Sequence, residues 1–423
     1  MTRQHTMRPP TPSEIRARFP ALSGDAVFLD NAGGSQLPDL VINAVREALV
    51  SAYAQYGGAY GPSARAKSNL DRGRAFVRAF LGAGPEAEVI LGPSSTALCN
   101  LVARMYADAA DAGTLDPARR ELIVCSAGHE ANIGCWHRLA ARGFTIREWH
   151  ARRPAHGSGE WRPHLDDLRS LLSSRTLLVA FPQVSNILGE VWDAAGVARL
   201  AREAGARSFI DGVAYAPHHA PSPAAMGCDY YVFSGYKVFG PHAGGLYARK
   251  DALSPLSGPN HTFIAKDSIS RFEPGNTAHE AAAAWAAVPD FFAFLSGGPA
   301  GEAPSREVIE RAFTVAEPLE LALQAQVLEV LETLPGVNVI GPREGHAGRV
   351  STISFVCSRP SSEVATAANE IGLGIRFGNF YSRRLVEQMG LAPDQGVVRV
   401  SPLLYNTSAE IDSLARFLRR FLK

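Results

Sequence analysis

The chain has 423 residues, 46% of them hydrophobic, which is enough for two domains with buried cores. Lys plus Arg number 42 against 41 for Asp plus Glu, a net charge of +1, so a polyanion-binding role is disfavoured. Residues 1–10 are polar and carry prolines with no apolar signal core, and apolar stretches such as 281–288 are far too short to span a bilayer, so the expected location is the cytoplasm.

Between residue 28 and about 295, short apolar runs alternate with helical periods, with runs at 121–127, 176–182, 208–213 and 230–234. That alternation predicts an α/β domain with a mainly parallel sheet. The Gly/Pro run at 296–304 reads as a linker. After it, Val315, Leu319, Leu323, Val327, Val330, Leu331 and Leu334 fall at helical spacing until Pro335-Gly336 stops them. Apolar runs at 337–340, 350–356, 373–376 and 397–401, with helices at 362–371 and 409–422, predict a smaller α+β C-terminal domain. The expected division is an N-terminal segment, 1–30, packed with the small domain, a large domain, 31–298, and the small domain, 299–423.

Five scattered cysteines, Cys99, Cys125, Cys135, Cys228 and Cys357, form no CxxC pair and support no disulfide framework. Twelve histidines include no HExxH, and the adjacent His218 and His219 are expected on opposite sides of a strand or apart on a helix, so no metal site is supported.

In open α/β sheets ligands bind at the carboxyl ends of the strands, and here those ends are polar. Ser94-Ser95-Thr96 follows the run at 89–92 and opens a helix, where free N–H groups and the dipole suit a phosphate; taken alone it reads first as an ordinary N-cap, since such caps are common. His129 follows 121–127, Ser185-Asn186 follows 176–182, Asp211 closes 208–210, and Ser234-Gly235-Tyr236-Lys237 closes 230–233. Lys237 fits a Schiff-base lysine if burial lowers its pKa, and otherwise a surface lysine. Asp211 fits either a partner for a protonated pyridine nitrogen or a turn cap; His129 fits a ring that stacks on a flat cofactor or a satisfied loop residue, and Asn186 is often a turn residue.

The run Asp229-Tyr-Tyr-Val-Phe-Ser-Gly-Tyr-Lys-Val-Phe-Gly-Pro241, with Asp211-Gly212, Val184-Ser185-Asn186-Ile-Leu-Gly189 and His129-Glu-Ala-Asn132, resembles the class V aminotransferase family of pyridoxal phosphate enzymes (fold type I), above all its cysteine desulfurase group. Phe28-Leu-Asp-Asn-Ala-Gly-Gly34, Phe272-Glu-Pro-Gly275, Val398-Arg-Val400 and Tyr405-Asn-Thr407 fall in the family's order, so the resemblance runs from about residue 19 to the C-terminus. It implies pyridoxal 5′-phosphate as cofactor and a homodimer with shared active sites, acting on a small amino-acid substrate. Lys237 then corresponds to the lysine that binds the cofactor and shuttles the α-proton, Asp211 to the partner of the ring nitrogen, His129 to the stacking residue and Asn186 to the one near the ring hydroxyl. Ser95, Thr96, Ser234 and Tyr236 correspond to the phosphate cradle, with Asn276, usually threonine, reaching over from the partner subunit. Arg399 corresponds to the arginine that grips the substrate carboxylate.

The departures from the family pattern are informative. Desulfurases take sulfur onto a cysteine in a mobile loop that aligns with Arg376-Phe-Gly-Asn-Phe-Tyr-Ser382, and Tyr381 stands at that cysteine's position. No cysteine follows Cys357. Ala214 replaces a usual glutamine, Tyr236 a usual histidine, and an early loop that often holds a histidine reads Tyr56-Gly-Gly-Ala-Tyr60. The leading expectation is therefore a lyase that cleaves the carbon–sulfur bond of cysteine or an S-substituted cysteine by β-elimination, without a persulfide, with Asn379, Tyr381 and Tyr60 beside Arg399 at the substrate. The alternatives are a decarboxylating oxidative deaminase or aminotransferase on a sulfur-containing conjugate, and a cofactor-binding protein without catalysis.

Overall fold

A computed structural model describes residues 8–153, 161–275, 277–343 and 348–423. Its strands, in chain order, are β1 (Val27–Phe28), β2 (Ala87–Gly92), β3 (Glu121–Cys125), β4 (Thr145–Trp149), β5 (Ala151–Arg152), β6 (Arg162–Pro163), β7 (Thr176–Pro182), β8 (Arg207–Asp211), β9 (Tyr230–Ser234), β10 (Gly244–Arg249), β11 (Asn338–Ile340), β12 (Ile353–Val356), β13 (Leu373–Gly374), β14 (Arg376–Gly378) and β15 (Val397–Val400). Seven of them form one sheet in the order β2-β10-β9-β8-β7-β3-β4. All neighbours are parallel except β10, which runs antiparallel to both β2 and β9. The architecture is α/β with a mainly parallel sheet, as the sequence pattern predicts.

The central strands are buried nearly throughout because helices cover both faces. Alternation along each strand divides them: Val179, Phe181 and Ile210 face one core, while Leu178, Ala180 and Phe209 face the other. The helix Ser95–Asp111 lies in the second core through Leu98, Val102 and Tyr106, and the nearly all-apolar helix His279–Leu295 lies in the first through Trp285, Val288 and Phe292.

The helix Arg306–Glu332 leads to a four-stranded antiparallel sheet, β11-β12-β15-β14. Its core joins Val327, Ile353, Phe355, Val398, Val400, Ile411 and Leu418. The N-terminal chain is stitched to this part: β1 pairs in parallel with β13, and Asp30 bridges Ser401. No helix among the described residues is long and apolar enough to cross a membrane.

Two expectations need correction. Arg376 does not continue the strand at 373; the chain breaks at Ile375 and starts β14, which pairs with β15 rather than with β1. His218 and His219 lie on neither strand nor helix but in the turn after β8, where His218 Nδ1 meets Glu320 Oε2 at 2.5 Å and the His219 ring packs on Tyr215.

Candidate active site

Gly244 pairs with both Gly92 and Ser234, so the carboxyl ends of β2 and β9 lie level at one edge of the sheet. The ends of β3, β7 and β8 come to the same edge because these strands are parallel. A cavity there is lined by Ser95, Thr96, His129, Asn186, Asp211, Tyr236 and Lys237, residues drawn from five different strand ends.

Lys237 closes the single turn Gly235–Lys237 after β9 and is 9% exposed. Burial, and then the Arg399 charge, push its pKa down to about 8, against the opposite pull of Asp211 and Asp30. Such an amine is partly neutral near neutral pH and fit to be a nucleophile or a base. Asp211 is the last residue of β8, and its Oδ1 accepts the Val213 N–H at 2.9 Å. No hydrogen bond to its other oxygen is found among the described residues, and burial raises its pKa. A buried carboxylate with one oxygen open to the cavity suits a ring N–H as partner.

His129 caps the short turn Glu130–Asn132, with Nδ1 accepting the Ala131 N–H at 3.1 Å. Burial, followed by the charges of Lys237 and Arg399, lowers its pKa to about 4. The ring is therefore neutral, with its proton on Nε2, and presents an aromatic face. The Tyr381 ring lies 5.2 Å from it, tilted by 44°.

Arg399, on β15, is 3% exposed. Its Nη2 donates to Asp30 Oδ1 at 2.8 Å and its Nη1 to the Asn186 carbonyl at 3.3 Å, while its Cζ stands 3.7 Å from the Phe380 ring centre. Its Nε is buried and has no hydrogen-bond partner. Asn186 is fixed by the loop beyond β14: its amide donates to the Phe380 carbonyl at 2.9 Å, and its Oδ1 accepts from Ser382 at 2.7 Å. That loop holds Phe380 and Tyr381 at φ 48° and 59°, a left-handed backbone that such side chains rarely adopt.

At the other end of the cavity the helix Ser95–Asp111 begins, capped by Ser94, whose Oγ accepts the Ala97 N–H at 3.1 Å. Ser234 donates to Ser95 at 2.8 Å, and the Tyr236 ring stacks on His242 at 4.9 Å. The free N–H groups, the hydroxyls and the helix dipole form an anion cradle.

The structure thus brings together Ser95, Thr96, His129, Asn186, Asp211, Ser234, Tyr236, Lys237, Arg399 and Tyr381. Asn379 departs from expectation: its side chain donates to the Pro393 carbonyl at 3.0 Å and accepts the Tyr381 N–H at 3.0 Å, so it builds the loop instead of facing the substrate. Tyr60 sits exposed at the start of the helix Gly61–Phe80 and does not line the cavity. Asn276 lies outside the described residues. Sequence reasoning assigned no role to Asp30, Phe380 or Ser382; a buried arginine demands a counter-charge, but nothing local names which acid supplies it.

These residues fit pyridoxal phosphate. A partly neutral lysine, a carboxylate with one open oxygen and a neutral aromatic face surround one cavity whose far end is an anion cradle. Among the described residues no group of three or more His, Cys, Asp or Glu is arranged to hold a metal ion.

Comparison with known proteins agrees. The family model described as aminotransferase class-V matches residues 27–414. The aminotransferase-like protein FGM3 of Gibberella zeae is 34% identical over 95% of this chain and 96% of its own length. A cysteine desulfurase of Klebsiella pneumoniae is 31% identical over 97% of this chain and 98% of its own. Among solved structures, the cysteine desulfurase CsdA of Escherichia coli superposes with a TM-score of 0.80 at 23% identity, covering 98% of each chain. The cysteine desulfurase of Thermococcus onnurineus gives 0.81 at 23% identity, covering 99% of each. The chain belongs to the class V aminotransferase family of pyridoxal 5′-phosphate-dependent enzymes.

Proposed function

We propose that this protein is a carbon–sulfur lyase that cleaves cysteine or an S-substituted cysteine by β-elimination, working as a cytoplasmic homodimer. The observation that carries the reading is Tyr381. At the loop position where the resemblance places a desulfurase thiol, an exposed tyrosine ring stands beside His129, and no cysteine lines the cavity. Four cysteines are buried elsewhere, and Cys357 packs against the core of the small domain. A buried lysine suited to α-proton removal, with no cysteine beside it, supports sulfur leaving as a free thiol. Exposed Val50, Tyr53 and Phe263 support burial against a second copy.

Bound pyridoxal phosphate supplies an electron sink conjugated to the substrate's α-carbon. Lys237 would hold it, Asp211 would keep its ring nitrogen protonated, His129 would cover one face, and the Ser95 cradle would take its phosphate. Arg399 grips the substrate carboxylate and so fixes which α-bond points at Lys237. The Lys237 amine takes the α-proton, the carbon–sulfur bond breaks with its electron pair on sulfur, and the ammonium returns the proton to the leaving thiolate. Water then converts the released enamine into pyruvate and ammonia.

The test is product analysis of the cofactor-loaded protein with L-cysteine and a panel of S-alkyl cysteines, with oxygen uptake recorded. The expected result is thiol, pyruvate and ammonia without oxygen uptake, abolished in Lys237→Ala. Alanine with protein-bound sulfur, or carbon dioxide with a shortened aldehyde, would overturn it.

A further inference from the structure

The tyrosine-bearing loop continues into a short helix, Arg383–Gln388, whose grip on the large domain serves no purpose in the reaction as derived. Leu385 and Val386 are buried beneath it, while Arg384 and Gln388, four residues apart and so on one face, reach across to the large domain. Arg384 Nη1 donates to Glu148 Oε1 at 2.7 Å, and its Nε lies 3.4 Å from Glu130 Oε2. Gln388 Nε2 donates to Ser126 Oγ at 2.7 Å and lies 2.9 Å from His150 Nδ1. Glu148 also faces His137 at 3.3 Å and His150 at 3.7 Å.

Ser126 and Glu130 bracket one five-residue stretch, 126–130, the strand-end loop that carries His129. The backbone completes the clasp, because the Glu130 N–H donates to the Tyr381 carbonyl at 2.8 Å. Helix and loop are thus held to the His129 segment at both of its ends.

We propose that Arg384 is a positioning residue: by pairing with Glu148 and Glu130 it holds the Tyr381 loop closed on the His129 segment, making a fixed wall of the substrate pocket. This rests on the reading that Tyr381 borders the substrate. Arg384 and Glu148 are about one-third exposed, so the pair biases the loop rather than locking it, and its loss is worth about a two- to fivefold shift in the open–closed balance.

The test is amide hydrogen exchange on the holoenzyme, read at Glu130 and at 379–382. Arg384→Ala should speed exchange there about two- to fivefold while leaving exchange in β7 and β8 unchanged. Arg384→Lys should restore part of the protection. Glu148→Gln should reproduce part of the loss, and should add little in the Arg384→Ala background. It also serves as the readout should the alanine variant fail to fold. The KM for S-substituted cysteines should rise by at most that factor, since only the fall in the closed fraction weakens binding, with a smaller change in kcat. Where the wild type cleaves no carbon–sulfur bond, the same factor is read as the Kd for those amino acids from the change in cofactor absorbance. In that case the lyase reading fails while the clasp stands. Unchanged exchange at 130 and 379–382 in folded variants, or exchange that rises equally in β7 and β8, would overturn the proposal.

Discussion

Asp30 holds Arg399 from the opposite end of the chain: Oδ1 accepts from Nη2 at 2.8 Å across 369 positions of sequence. Asp30 lies just past β1, which pairs with β13, and Arg399 lies within β15, so the pair ties the N-terminal chain to the small four-stranded sheet. The Arg399 Nε is buried without a hydrogen-bond partner. Asp30→Ala removes the counter-charge of a buried guanidinium and should cost about 3 kcal/mol of stability. Small carboxylates such as propionate should then recover part of the loss by binding Arg399 in the folded state alone. Thermal unfolding with and without propionate checks this; equal shifts in wild type and variant would contradict it.

Lys237 titrates near pH 8 because burial and Arg399 disfavour its ammonium. The neutral fraction therefore rises about tenfold from pH 7 to pH 9 and then levels off, whereas an ordinary lysine would keep gaining neutral amine beyond pH 10. Capture of pyridoxal phosphate by the cofactor-free protein should follow that curve. Arg399→Met should move its midpoint upward, since a repelling charge is lost and Asp30, which favours the ammonium, keeps only the Arg376 contact at 3.6 Å. Stopped-flow absorbance across pH 6.5–10 gives the curve, and a rate still climbing beyond pH 10 in the wild type would refute the assignment.

Legibility in the sequence depended on how local the cause was. The strands Tyr230–Ser234 and Thr176–Pro182 both match their runs, because a strand buried on both faces is mostly apolar along its length. Lys237 and Asp211 could be singled out because polar residues directly after such runs fall at the ligand-binding edge. The antiparallel β10 was not legible: its Gly-Gly start carries no strand signal, and only its pairing with β2 and β9 gives it a place. Phe380 under Arg399 and the Arg384 clasp were hidden for the same reason, since each joins segments far apart in sequence, and a single chain does not reveal which distant residues meet.

His129 is kept neutral with its pKa near 4 by burial and by the charges of Lys237 and Arg399. In the unfolded chain the same ring titrates near 6.5, so below that pH the unfolded state takes up a proton that the folded state refuses. Stability from this residue is thus complete above about pH 6.5 and is lost as pH falls toward 4, on the order of 3 kcal/mol in all. His219, also lowered to about 4, contributes in the same direction and stays in place when His129 is changed. His129→Phe should therefore flatten, without abolishing, the decline in urea-unfolding free energy between pH 7 and pH 4.5. Parallel declines in the two proteins would mean that His129 is charged in the folded state.

The close approach of β10 to the anion cradle gives the sharpest test of where the phosphate sits. A Cβ on Gly244 would stand 2.6 Å from the Ser94 carbonyl carbon and 2.7 Å from the Ser95 nitrogen, both backbone atoms that cannot swing aside. Gly244→Ala must therefore push the start of the helix Ser95–Asp111 away from Ser234, whose hydroxyl bonds Ser95 at 2.8 Å. Overpacking of this kind costs roughly 1–3 kcal/mol, and here it falls on the cradle itself. Affinity for pyridoxal phosphate should drop about ten- to a hundredfold, while pyridoxal, which lacks the phosphate, should lose far less. Titration of the cofactor-free variant with both compounds decides the matter: an equal loss for the two would place the phosphate away from this helix start.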